Sequence, residues 1–163
     1  GRRETGDGRR VAVGSGSWQS EGGRRGTGDV LQLAVAVGSL SVKEGFESLR
    51  AYELAYASAM KVFELSKSFP NDEKYSLTDQ IRRSSRSVCG NIAEAYRKRR
   101  YRKHYVSKLS DADGESSETI VWLHFARDCG YISPETHSAR VAIYEQIGKL
   151  LGYMMDHPEK FGA

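Results

Sequence analysis

The chain has 163 residues, enough for one domain and a tail, and a formal net charge of only +4 that is unevenly spread. Two cysteines are too few for a disulfide framework, and there is no run of roughly 18 apolar residues to cross a bilayer. A disulfide-stapled scaffold and a helical membrane protein are excluded, and a reduced, cytoplasmic protein is the expectation.

Residues 1–42 hold ten of the 17 glycines, several arginines and no helical period. Such a composition predicts disorder, because glycine-rich backbone is costly to order and offers little surface to bury. Its one apolar stretch, Val30 to Val37, is too short and too far along the chain for a signal peptide. The tail reads as a flexible nucleic-acid arm of RG type or as an extension without a role, and the second reading is preferred. A bundle domain is expected over residues 43–163.

Helix one is predicted from about Lys43 to Phe69, with Phe46, Leu49, Tyr52, Tyr56, Ala59, Val62, Phe63 and Ser66 on its buried side. Pro70 and Asn71 stop it. Helix two opens at Ser76, an N-cap with Asp79 in a box-like position. Its stripe is Leu77, Ile81, Ser84, Ser85, Val88, Ile92 and Ala95, with Arg82, Arg86 and Arg97 together on the far side of the helical wheel. Helix three runs from about Arg102 to Asp128 on Tyr105, Leu109, Ala112, Ser116, Ile120 and Leu123, and Gly130 suits a left-handed cap after it. Ser133 followed by Pro134 is a strong start signal for helix four, which reaches about Asp156 on Val141, Tyr144, Ile147, Leu151 and Met154. Four long helices with short loops and no alternating strand predict an all-α, antiparallel up-down-up-down four-helix bundle. Cys89 and Cys129 would then lie on the order of 25 Å apart along it, beyond disulfide reach.

The corner between helices two and three carries the functional argument. Arg97, Lys98, Arg99, Arg100, Arg102 and Lys103 put six positive charges into seven positions. Residues 76–104 hold nine Lys or Arg against Asp79 and Glu94, a local +7 in a chain of +4, so the remainder carries −3. A local excess of this kind attracts polyanions whatever the global charge. Arg82, Arg83, Arg86 and the run from Arg97 to Lys103 are therefore candidate phosphate contacts. Of the interleaved tyrosines, Tyr105 falls on the core side and Tyr101 is the candidate for stacking on an unpaired base. The competing reading is a merely solvated basic corner.

Helix three has a second stripe, with Asp111, Glu115, Glu118, Trp122 and Phe125 flanked by His104 and Cys129. Acids mixed with an indole and a phenyl ring suit a subunit interface, in which the acids meet a neighbour's arginines, better than a solvated face. Asn91 and Glu94 read as structural, a buried hydrogen bond and an ion pair with Lys98.

The segment FPNDEKYSLTDQIRRSSRSVCGNIAEAYRKRRYRKHYVSKLSDADGESSETIVWLHFARDCGYIS resembles the bacterial four-helix-bundle family of 23S rRNA intervening-sequence proteins, which looks related to the Avd accessory proteins of diversity-generating retroelements. The most specific marks are Phe69, Pro70, Tyr75, Leu77, Thr78, Gln80, Arg82, Arg83, Ser87 and Asn91 to Ala95, then the CGYI turn at Cys129 to Ile132. The resemblance covers about residues 48–156. It implies homopentamers around a channel with a positive surface and, for the Avd relatives, a reverse transcriptase and nucleic acid as partners. No settled activity is implied for the intervening-sequence branch, to which this chain is closer.

An enzyme is not expected. The four histidines lack ligand spacing, the cysteines lack a CxxC pair, and there is neither a P-loop nor a GxSxG elbow. No cofactor or metal is implied. The reading is a cytoplasmic homo-oligomer that binds RNA or DNA at its basic corner, with a protein adaptor as the alternative.

Overall fold

Small side chains decide how the first helix sits. α1 (Arg50–Leu65) turns Ala51, Ala55, Ser58, Ala59 and Val62 into the core. Phe46, Leu49, Tyr52 and Phe63, expected on its buried side, are only half-buried, and Tyr56 is exposed. The other helices supply the bulky core groups, so α1 can approach only with its small face, and its tyrosine hydroxyls stay in reach of water. The structure, a computed structural model, describes residues 44–163; the disorder expected of residues 1–42 lies outside them.

Helix one is also shorter than its sequence predicts. A 3-10 turn (Gly45–Ser48) precedes it, and Leu49 separates the two with extended backbone at φ −72° and ψ 125°. A second 3-10 turn (Ser66–Ser68) follows, and Phe69 is extended, as the residue before a proline must be.

α2 (Leu77–Lys98) buries Leu77, Thr78, Ile81, Ser84, Ser85, Val88, Ile92 and Ala95, the predicted stripe with Thr78 added. Its start differs from expectation. Glu73, not Ser76 or Asp79, accepts the backbone N–H of Leu77 at 3.2 Å, and the Ser76 hydroxyl donates to the same carboxylate oxygen. A carboxylate placed there satisfies an orphan N–H and favours the positive end of the helix dipole.

α3 (Arg102–Asp128) and α4 (Pro134–Asp156) have the predicted limits. Thr119 and Ala126 join the core of α3, while Ile120 and, on α4, Val141 are half-buried. Gly130 takes φ 76°, and the Tyr131 N–H reaches back to the Ala126 carbonyl at 2.8 Å, which closes α3. Ser133 caps α4 by accepting the Thr136 N–H at 3.2 Å. Each helix packs against its sequence neighbour and α1 against α4, closing an all-α four-helix bundle. Ile92, Leu109, Ile147 and Leu151 are fully buried at its centre.

Candidate nucleic-acid interface

The antiparallel order brings the start of α1, the end of α2, the start of α3 and the end of α4 to one end of the bundle. There Arg99, Arg100 and Tyr101 join α2 to α3. The turn is fixed by the Tyr101 N–H donating to the Lys98 carbonyl at 2.9 Å and the Tyr105 N–H to the Tyr101 carbonyl at 3.0 Å. Tyr105 is buried, as its place on the wheel predicts, and desolvation pushes its hydroxyl up to about 12.

The cations singled out in the sequence are not equivalent. Arg82 is a brace between α1 and α2: its Nε donates to Ser66 Oγ at 2.7 Å and its guanidinium lies 5.0 Å from the Phe63 ring centre. Arg83 braces α2 to α3 through Glu118 at 3.4 Å. Lys98 pairs with Glu94 at 2.5 Å. Arg99 donates to the Tyr96 carbonyl at 2.7 Å and lies 4.0 Å over the Tyr96 ring. Arg86 and Arg97 are exposed and lie over Phe63 and Phe46, at 5.7 and 5.9 Å. Arg100, Arg102 and Lys103 are exposed and make no hydrogen bond, ion pair or ring contact with the described residues. Arginines over rings keep their charge and most of their donors. The outward cations are therefore Arg86, Arg97, Arg100, Arg102 and Lys103.

Tyr101 is 66% exposed and stands at right angles to the His104 ring, 6.0 Å away. It occupies the N-cap of α3 without a side-chain capping bond, so the first N–H groups of that helix face the same surface. The C-terminal 3-10 turn (Pro158–Phe161) adds a group that sequence reasoning missed. Gly162, at φ 76°, packs against the Arg99 side chain, and exposed Lys160 donates to the Tyr153 hydroxyl. Only the antiparallel return of α4 brings this lysine to the corner, so no local pattern announces it.

The second stripe of α3 lies along the α2 side. Trp122 Nε1 donates to Glu118 Oε1 at 3.0 Å, the atom that Arg83 also approaches, and Phe125 is 53% exposed, 5.8 Å from the indole. Leu77, Gln80, Trp122, Phe125 and Cys129 line a shallow cleft of about 240 Å³. Asp111 pairs with Lys108 at 3.1 Å, and Lys108 also reaches Glu94 at 3.1 Å. One Glu115 carboxylate oxygen is buried without a partner among the described residues. Its carboxyl is held above the usual range, first by burial and then by the nearby Glu118 charge. Asn91, expected to make a buried hydrogen bond, instead lines the open groove beside Glu115.

Both cysteines are free thiols, Cys89 half-buried with its thiol pushed up to about 11 by desolvation, and Cys129 exposed. His124 Nδ1 lies 2.7 Å from His137 Nε2, tying α3 to α4. Among the described residues no group of three or more His, Cys, Asp or Glu is close enough to hold a metal ion, and no helix is long and apolar enough to cross a membrane.

A crystal structure of a protein of unknown function from the S23 ribosomal protein family of Bacteroides thetaiotaomicron is 28% identical to this chain, with a TM-score of 0.60. The match covers 65% of this chain and 95% of that one. No curated protein matches at a significant level. The family described as 23S rRNA-intervening sequence protein matches residues 47–153, from the turn before α1 nearly to the end of α4. With that span and the shared bundle, this chain belongs to the 23S rRNA-intervening sequence protein family.

Proposed function

We propose that this protein is a non-enzymatic, cytoplasmic homo-oligomer that binds RNA or DNA through the basic end of its bundle. The observation that carries the reading is that Arg100, Arg102 and Lys103 face water with no partner among the described residues, on a turn whose backbone is fixed. Phosphates meeting them would displace condensed counterions, and Arg97 and Lys160 extend the same charge outward. Arg82, Arg83, Lys98 and Arg99 support this surface by bracing helices and contribute less to contact.

A labelled RNA of about 20 nucleotides, titrated with the wild-type chain and with R97E/R99E/R100E/K103E, tests it. The wild type should lose on the order of tenfold to a hundredfold in affinity between about 50 and 200 mM salt, for a handful of phosphate contacts. The charge-reversed variant should bind barely at all. Unchanged affinity in that variant removes the corner from the mechanism.

A second reading is favoured by the exposed apolar groups, Tyr56 and Met60 on α1 and Val121 and Phe125 on α3. Here the oligomer is an adaptor for another protein, such as a retroelement reverse transcriptase, and the cations serve an acidic partner. A protein retained on the immobilised chain after nuclease treatment, with no RNA binding in the titration, selects this reading.

A further inference from the structure

Resting on the nucleic-acid reading, we infer that the corner is built for unpaired nucleotides, with Tyr101 as a base-stacking platform and Arg100, Arg102 and Lys103 as its phosphate clamps. Among the exposed large hydrophobic side chains of the described residues only Tyr75, at 84%, is more open than Tyr101 at 66%. Beside Tyr75, among the described residues, one cation lies over the ring, Lys74 Nζ at 5.1 Å from its centre. Tyr101 sits inside a run of charge. Its backbone is held from both sides by the turn hydrogen bonds to Lys98 and from Tyr105, at 2.9 and 3.0 Å, so the ring projects from a fixed point. The His104 ring meets it at 88° and 6.0 Å, which restrains the tyrosine while leaving a ring face open.

An exposed aromatic face among unpaired cations matches the chemistry of a single strand. Its bases have free π-faces to stack, and its phosphates follow at short intervals along the backbone. A duplex offers the same phosphates, but its bases are already stacked on one another and cannot reach a ring on a protein turn. The site should therefore discriminate by strandedness and be tolerant of sequence, because every base has a π-face.

Fluorescence anisotropy on the full chain tests this with three probes of one unstructured sequence: single-stranded RNA, single-stranded DNA and the RNA duplex. Single strands of either sugar should bind at least about tenfold more tightly than the duplex. Y101A should lose roughly fivefold to a hundredfold on single strands, the worth of one stacked base, with its salt slope unchanged. Y101F should bind as the wild type does, and duplex binding should not respond to either change. Equal binding of duplex and single strand, or a Y101A variant that binds single strands normally, overturns stacking while the phosphate reading stands. Failure of the wild type to bind any probe, or normal binding by R97E/R99E/R100E/K103E, overturns both.

Discussion

At the residue scale, Glu73 does more than its place in a loop implies. One carboxylate oxygen takes the Ser76 hydroxyl and the Leu77 N–H, and the other takes the Tyr131 hydroxyl at 3.1 Å. Tyr131 follows the glycine that ends α3, and its ring lies 5.5 Å from Phe69, so one side chain ties the start of α2 to the α3–α4 turn. The hydrogen bonds from Ser76, Leu77 and Tyr131 hold the Glu73 carboxyl below its ordinary value of 4.5, that from Ser76 most strongly. With the folded-state value depressed, the stabilisation is present above about pH 4.5 and is lost as pH falls through the lower, folded-state value. Thermal melts of E73Q should therefore fall a few degrees below wild type at neutral pH, with the gap closing towards pH 3. A gap independent of pH would mean that the charge of Glu73 is immaterial.

At the element scale, the packing of α2 on α3 rests on small residues. Ser84, Ala112, Ser116 and Thr119 are all buried, and the Thr119 hydroxyl bonds both Ser84 Oγ and the Glu115 carbonyl at 2.9 Å. S84L forces a branched chain into a filled seam and should cost about 1–3 kcal/mol in denaturant unfolding, whereas S84A should cost under about 1 kcal/mol. Equal stability of the two variants would show that the seam has room. This seam was legible in the sequence because small and apolar residues share one helical period, and Gly130 and Ser133-Pro134 marked helix ends through local backbone chemistry. The aromatic residues of α1 were misread for the converse reason. They also keep a helical period, and nothing local reveals that, beside the expected Ala59 and Val62, the core takes Ala51, Ala55 and Ser58 rather than the aromatic rings. The corner was legible as charge but not as availability. Arg82 and Arg83 are drawn away by Ser66 and Glu118, groups 16 and 35 positions distant in the chain.

At the scale of the whole molecule, the bundle carries two exposed apolar faces with complementary surroundings. On α1, Tyr56 and Met60 lie on the helix whose Phe63 and whose neighbouring Phe46 are covered by Arg82, Arg86 and Arg97. On α3, Val121 and Phe125 lie beside Glu118 and the unsatisfied Glu115. A basic aromatic face on one copy and an acidic aromatic face on the next would form a heterologous contact, the kind that closes into a ring when the rotation per step permits. The raised Glu115 carboxyl fits the same picture, since an incoming guanidinium would supply the missing partner and offset the burial that raises it. Light scattering on the wild type should then give a multiple of 18.2 kDa, fivefold if the family resemblance extends to assembly. W122E/F125E should give the single-chain mass with helical circular dichroism unchanged. Because a ring would present several weak basic corners to one strand, that monomeric variant should also bind long RNA on the order of a hundredfold less tightly while binding a short oligonucleotide normally. A wild-type mass of 18.2 kDa, or a variant that stays assembled, would remove α3 from self-association and leave its exposed phenyl ring to a different partner.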